Sequence, residues 1–138
     1  MSVDLKFRDF FHPVSILKLR HFLEKSQWFS EEELKRYQLN RLRLILSHAY
    51  ENVPYYRNIF SELKFNPQDV KKIEDLKRIP VLTKDKLRKN FKMLIANNAK
   101  RFGPIHTRTS GTSGESVEFL LDRPSNILEF CYYWRYWS

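Results

Sequence analysis

The chain has 138 residues, of which 42% are hydrophobic and 15% are aromatic. This length is enough for one packed core, and this composition argues against a disordered chain. The formal net charge is +9, but basic residues in the helical stretches are interleaved with acidic ones, which favours solvated helix faces over a nucleic-acid surface. No run of about 18 apolar residues occurs, and residues 1–9 carry charges, so we expect neither a membrane span nor a signal peptide. Cys131 is the single cysteine, which excludes an internal disulfide and fits a reducing cytoplasm.

The first part of the chain predicts two helices. Pro13 suits a first helical position, and apolar residues follow it at near-helical spacing. Ser30 and Glu33 have the spacing of a capping box before a long periodic stretch. That stretch should end at Val53, because a residue before proline is pushed out of the helical region. Its apolar stripe is predicted to contain Leu34, Tyr37, Leu42, Ile45 and Ala49.

Shorter elements should follow, so that residues 12–100 are mostly helical. Pro54 can begin a short turn, and Asn66 with Pro67 marks a loop. A short helix is expected over residues 73–78, ending before Pro80. Thr83 is then predicted to be the N-cap of a helix over residues 84–91.

The spacing of apolar residues changes after residue 104, from a helical period to a period of two residues. Apolar or β-branched residues alternate with polar ones on both sides of a glycine-containing loop, which predicts a β-hairpin over residues 104–122. Residues 123–138 predict a helix with aromatic residues on all sides, and such a helix is stable only when it is buried on all sides. We therefore expect a partial domain, and self-association through this aromatic helix when the chain is isolated.

The loop between the two predicted strands is the strongest candidate site. The chain has three glycines, and two of them lie in this loop, where they permit close approach of a ligand to backbone N–H groups. Hydroxyl groups add uncharged donors, which favours a cradle for phosphate, although a polar turn is the alternative. The following residue and the following strand do not match a Walker A loop, and no dinucleotide fingerprint occurs. The predicted ligand-binding residues are Thr109, Ser110, Gly111, Thr112, Ser113 and Gly114.

No residue is assigned a catalytic or metal-binding role. His106 lies three residues before the loop, but we expect it to be an exposed or capped polar group. His12, His21 and His48 have no metal-ligand spacing, and His48 is expected at the surface. Cys131 has no cationic neighbour in sequence and is expected to pack rather than react.

Three stretches together resemble a known family. Residues 109–114 resemble the Ser/Thr/Gly phosphate loop of the AMP-forming adenylate enzymes. Residues 48–57 are similar to the Val-Pro-Tyr/Phe-Tyr-Arg stretch of the phenylacetate–CoA ligase branch, and residues 76–88 resemble that branch's Pro-x-Leu/Thr-Thr-Lys segment. Residues 119–135 look more like the members associated with capsular polysaccharide. The resemblance covers residues 40–138.

The resemblance implies the α/β N-terminal domain of an adenylate-forming enzyme, present here as an α-rich segment plus the hairpin. It implies a two-step reaction in which a carboxylic acid and ATP give acyl-AMP, and the thiol of CoA then takes the acyl group. The loop is expected to hold the β and γ phosphates while Mg²⁺ offsets their charge. The family's acyl pocket, adenine motifs and C-terminal lysine are absent, so we expect the 138-residue chain alone to be inactive.

Some residues depart from the family pattern. Ser113 replaces the usual threonine and Ser116 the usual proline, while Glu115 puts a carboxylate beside the expected phosphate. Arg57 and Lys84 occur in the family-like stretches, and we expect helix-end or salt-bridge contacts from both rather than nucleotide binding.

Two alternatives stay open at this stage. One is a small basic nucleic-acid-binding module that stacks bases on its tyrosines and tryptophans, and its binding would depend steeply on salt. The other is an inert remnant of the ligase family.

Overall fold

The computed structural model of the chain describes residues 13–109, residues 116–122 and five positions beyond them, Ser125, Leu128, Glu129, Tyr132 and Tyr133. In these residues it is mostly helical, with one antiparallel β-hairpin, in agreement with the α/β prediction. None of the described helices is long and apolar enough to cross a membrane. The α-helices are α1 (Pro13–Ser26), α2 (Glu31–Asn52), α3 (Pro54–Glu62), α4 (Lys84–Lys89) and α5 (Phe91–Leu94). Three 3₁₀ helices cover Pro67–Asp69, Ile73–Arg78 and Ala99–Phe102, and the strands are β1 (Ile105–Arg108) and β2 (Glu118–Leu121).

The ends of α2 follow local sequence signals. The Ser30 N–H donates to a Glu33 carboxylate oxygen at 2.8 Å, and the Glu33 N–H donates to the Ser30 hydroxyl at 3.2 Å, which confirms the capping box. These bonds, the first of them above all, hold the pKa of the Glu33 carboxyl below its usual range. At the other end, Val53 terminates α2 as predicted. Pro54 then begins a nine-residue helix rather than a short turn, because its fixed φ and missing N–H suit the first helical position.

The predicted helix over residues 84–91 is interrupted. Thr83 is its N-cap as expected, accepting from the Lys86 N–H at 3.3 Å. The helix ends at Lys89, since the Asn90 side chain donates to the Lys86 carbonyl at 2.9 Å and Asn90 leaves the helical region. An asparagine side chain can bond to nearby backbone groups in place of the regular helical hydrogen bonds, and Phe91 therefore starts a separate short helix, α5.

The main core lies between α2, α3 and the segment after α3. Its buried residues are Leu46, Phe60, Phe65 and Val70. The rings of Phe60 and Phe65 lie 4.9 Å apart, and burying one such side chain contributes about 1.5–3 kcal/mol. The Arg43 side chain on α2 donates to the Val70 carbonyl at 2.7 Å, so this backbone oxygen of the segment after α3 has a hydrogen-bond partner.

The predicted apolar stripe of α2 is partly wrong. Leu42 and Ala49 are half-buried, but Leu34, Tyr37 and Ile45 are exposed, and Ile45 keeps 64% of its surface. The buried residue is Leu46, one position and therefore about 100° around the helix from Ile45. Tyr37 instead contacts Phe22 of α1, with ring centroids 5.2 Å apart. The stripe is divided because two different neighbours cover the two ends of the helix.

The hairpin prediction is confirmed. β1 and β2 pair antiparallel, with Ile105 opposite Leu121 and Arg108 opposite Glu118. On β1, Ile105 and Thr107 are half-buried while the residues between and after them are exposed, so the two-residue period is real. After β2, the Ser125 N–H donates to an Asp122 carboxylate oxygen at 2.8 Å. The described positions from Ser125 to Tyr133 have helical backbone, and the extent of the aromatic helix over residues 123–138 stays a prediction.

Candidate functional site

The predicted phosphate loop is described at its base. Of its six residues, Thr109 is described, whereas Ser110, Gly111, Thr112, Ser113 and Gly114 lie outside the described residues, as does Glu115. Two hydrogen bonds join the ends of the loop. The Thr109 N–H donates to the Val117 carbonyl at 3.0 Å, and the Val117 N–H donates to the Thr109 hydroxyl at 3.0 Å.

This pair of bonds extends the β ladder by one step beyond the strands. It gives the Thr109 hydroxyl a structural contact that the alternating sequence pattern alone does not predict. The hydroxyl oxygen accepts from Val117, and its own O–H remains able to donate. Thr109 therefore fixes where residues 110–116 leave and rejoin the hairpin.

A histidine and a glutamate side chain lie close together across the two strands of the hairpin. The His106 Nε2 atom is 3.7 Å from a Glu118 carboxylate oxygen, and the ring of His106 lies edge-on to Phe91 at 5.8 Å. Both side chains are more than half exposed. His106 is thus an exposed polar group, as the sequence predicted, with a partner across the strands.

A largely apolar cavity of about 500 Å³ separates the hairpin from the helices. Its apolar wall comes from the stretch around α4 and α5, the third 3₁₀ helix and β2. Phe91, Leu94 and Phe102 line the helical side, and Phe119 and Leu120 line the hairpin side. The polar lining residues are His48, Glu118 and Asp122.

His48 is not at the surface, contrary to the sequence expectation. It is half-buried, lines the cavity and lies edge-on to Phe102, with ring centroids 6.0 Å apart. The Asn52 amide nitrogen lies 3.4 Å from His48 Nδ1 and donates to the His48 carbonyl at 3.2 Å. The last turn of α2 is covered by a segment about fifty residues later in the chain, and no local pattern in α2 predicts that contact.

The end of α2 is held by two neighbouring segments. The Asn97 N–H donates to the Asn52 carbonyl at 2.8 Å, which ties the stretch after α5 to the helix. Arg57 donates from Nε to the Tyr50 carbonyl at 3.1 Å and also donates to the Glu51 carbonyl. A guanidinium at a helix C-terminus stabilises the free carbonyls there, so Arg57 makes the helix-end contact that the sequence predicted.

The positive charge of the protein is concentrated beside this site. Residues 84–108 contain eight basic residues and one acidic residue, a net charge of +7 out of the +9 of the whole chain. The same segment supplies most of the cavity wall and leads directly into the loop. Its charged groups favour anions near the hairpin. Arg88 is half-buried, and the other basic residues, Lys84, Lys86, Lys89, Lys92, Lys100, Arg101 and Arg108, are exposed.

Metal binding has no support in the described part of the chain. No group of three or more histidine, cysteine, aspartate or glutamate residues there could hold a metal ion. Mg²⁺, if it acts here, would be held chiefly by the phosphate oxygens of a bound nucleotide, as is usual for this ion.

The chain is similar in sequence to several curated proteins that share one name. The chain is 37% identical over 94 residues to the phenylacetate–coenzyme A ligase of Aromatoleum evansii, a match that covers 67% of this chain and 21% of the relative. The enzyme of the same name from Pseudomonas putida is 37% identical over 97 residues, covering 70% and 22%. That from Escherichia coli K12 is 37% identical over 94 residues, covering 67% and 21%. The chain thus spans about a fifth of the length of the curated relatives it matches. No protein-family model matches the chain.

Proposed function

We propose that the chain is the N-terminal part of an ATP-dependent, AMP-forming carboxylate–CoA ligase, and that residues 109–114 hold the phosphates of ATP. The observation that carries the proposal is the closed base of the loop. Two hydrogen bonds between Thr109 and Val117 bring together the ends of a segment rich in glycine and hydroxyl residues. Backbone N–H groups in such a turn converge readily on an anion.

The similarity to phenylacetate–coenzyme A ligases supports the same proposal from a separate direction. It extends over 94 residues, two thirds of this chain, which is more than a short motif alone would give. The net charge of +7 in residues 84–108 favours a polyanionic substrate near the loop. We also propose, at a finer level, the branch associated with capsular polysaccharide synthesis, on the resemblance of residues 119–135.

In the proposed reaction, a carboxylate oxygen attacks the α-phosphorus of ATP, forming acyl-AMP and releasing pyrophosphate. The thiolate sulfur of CoA then attacks the acyl carbon, and AMP leaves. The loop's part is to hold the β and γ phosphates in line for the first step, with Mg²⁺ offsetting their charge. The loop supplies binding and orientation, and the groups that contact the carboxylate belong to the rest of such an enzyme.

The proposal is tested by phosphate binding to the 138-residue chain. Wild-type protein should bind pyrophosphate and ATP weakly, with Kd about 1 mM or above, because part of a site leaves most ordering costs uncompensated. Gly111→Val and Gly114→Val should abolish that binding, since a branched side chain blocks close approach of phosphate to the backbone. Val81→Ala, at a residue that is 80% exposed, is the matched control. Equal binding by the glycine variants would remove the loop from the site.

A nucleic-acid-binding module remains the second candidate, and the concentration of charge in residues 84–108 is the observation that favours it. A single-stranded oligonucleotide in the same assay separates the two proposals. Oligonucleotide binding that falls steeply with salt and ignores both glycine variants would support that module instead.

Two accompanying proposals concern the state of the protein. We propose a cytoplasmic location, on the single cysteine and the ATP-dependent chemistry. We also propose self-association through the aromatic helix, where Tyr132 and Tyr133 are exposed. Sedimentation of the isolated chain should show oligomers, and a monodisperse monomer would contradict that proposal.

A further inference from the structure

We propose that the protein binds the surface of anionic lipid bilayers through the exposed basic residues of the stretch 84–101. This stretch contains α4, α5 and most of the third 3₁₀ helix. It holds seven basic residues and one acidic residue, a net charge of +6. The inference does not depend on the proposed function, because it uses residues outside the candidate phosphate loop. We call the exposed basic residues the basic surface, which consists of Lys84, Lys86, Lys89, Lys92, Lys100 and Arg101.

The charges of the basic surface are not neutralised within the described part of the protein. Asp85 is the one acidic residue of the stretch, and its Oδ1 atom lies 3.4 Å from a guanidinium nitrogen of Arg88, which is half-buried and not part of the basic surface. Between described residues, no ion pair involves a side chain of the basic surface. A cluster of about four to eight lysines and arginines is typical of segments that bind anionic lipid headgroups.

The fold separates the apolar and the basic side chains of this stretch. Leu87, Phe91 and Leu94 are half-buried and line the cavity beside the hairpin, whereas no residue of the basic surface lines it. The apolar side chains therefore hold the stretch in the fold, and the basic ones stay exposed to solvent. Lysine is depleted in protein–protein interfaces. Five lysines thus indicate a surface that stays accessible when further polypeptide packs on the chain.

Two apolar side chains in and beside this stretch favour a lipid surface over a nucleic acid. Val81 keeps 80% of its surface exposed and Met93 keeps 38%, and neither lines the cavity. Such side chains can enter the boundary between lipid headgroups and acyl chains. Single-stranded nucleic acid is held instead by aromatic side chains that stack on bases. The two aromatic residues between residues 81 and 102, Phe91 and Phe102, both line the cavity.

The test is flotation of the 138-residue chain with lipid vesicles. The chain should bind vesicles made of phosphatidylserine and phosphatidylcholine, and it should bind vesicles of phosphatidylcholine alone about tenfold more weakly or less. The difference should disappear as salt is added, because salt screens charges at a surface. A triple variant that neutralises part of the basic surface should bind the anionic vesicles about a hundredfold more weakly, at about fivefold for each lysine. Its substitutions are Lys86→Gln, Lys89→Gln and Lys92→Gln.

A matched control removes the same net charge from elsewhere on the protein. It combines Lys18→Gln, Lys35→Gln and Lys64→Gln, at three exposed residues outside the basic surface, and should weaken binding about threefold or less. Val81→Thr keeps both the net charge and the shape of the side chain. It should weaken binding to the anionic vesicles about threefold or more, because one methyl group that enters the lipid is replaced by a hydroxyl. Circular dichroism checks that all variants fold.

Several results would overturn the proposal. These are failure of the wild-type chain to bind anionic vesicles at low salt, equal binding to both kinds of vesicle, and an equal loss in the triple variant and its control. A single-stranded oligonucleotide added to the assay tests the other class of polyanion. Oligonucleotide binding that displaces the vesicles, is lost in the triple variant and ignores Val81→Thr would assign the basic surface to nucleic acid instead.

Discussion

Replacing Thr109 by valine removes one hydroxyl group and keeps the shape of the side chain. The Val117 N–H donates to that hydroxyl at 3.0 Å, and Val117 is 9% exposed. The substitution therefore leaves a donor in a largely buried residue without its partner, which costs about 1–3 kcal/mol. Each 1.4 kcal/mol is a factor of ten in the opening equilibrium of the hairpin.

Amide hydrogen exchange measures this effect where it should occur. Exchange of residues 105–108 and 117–121 should be about ten- to a hundredfold faster in Thr109→Val, while the amides of α2 stay unchanged. Thr109→Ser keeps the hydroxyl and is the matched control, with exchange close to wild type. Phosphate binding should weaken in Thr109→Val in parallel with the loosened base of the loop. The same exchange rates in Thr109→Val and Thr109→Ser would refute the structural role given to this hydroxyl.

Three further predictions concern stability and activity. Phe60→Ala should lower the free energy of unfolding by about 3–5 kcal/mol in chemical denaturation, whereas Leu44→Ala should change it by about 0.5 kcal/mol or less. Backbone N–H groups of Lys71 and then Lys72 lower the pKa of the Asp75 carboxyl from its usual 3.8, so its stabilisation is present above pH 4 and lost as the pH falls through the lowered pKa. Asp75→Asn should therefore be less stable than wild type at pH 7, and the difference should shrink as the pH falls below 4; a difference that stays constant would contradict this. The 138-residue chain should not exchange pyrophosphate into ATP, and measurable exchange would disprove the proposal that the chain is only part of a ligase.

Charge is distributed unevenly along the chain. Basic residues alternate with acidic ones in the stretch from Glu31 to Arg36, and there they form solvated surface, with an ion pair between Lys35 and Glu31. Residues 84–108 are different, because Asp85 is their one acidic residue. The structure adds that this segment also supplies most of the wall of the largely apolar cavity beside the hairpin. Its charge thus matters for the site through its position in the fold.

Signals within a few residues determined several element boundaries of this protein from the sequence alone. Ser30 with Glu33, Val53 before Pro54, and Thr83 act on backbone groups one turn away, and the two-residue period after Ile105 requires only that one face of the hairpin be covered. The candidate phosphate loop was predicted from its glycines and hydroxyl residues in the same local way, and it stays a prediction. Tertiary structure alone decided which face of each element is covered. Leu46 rather than Ile45 is buried, and His48 lines the cavity, because segments distant in sequence pack there. Helical periodicity determines which residues share a face. Which of those faces is buried depends on the neighbouring segments that pack against the helix and remove its apolar surface from water.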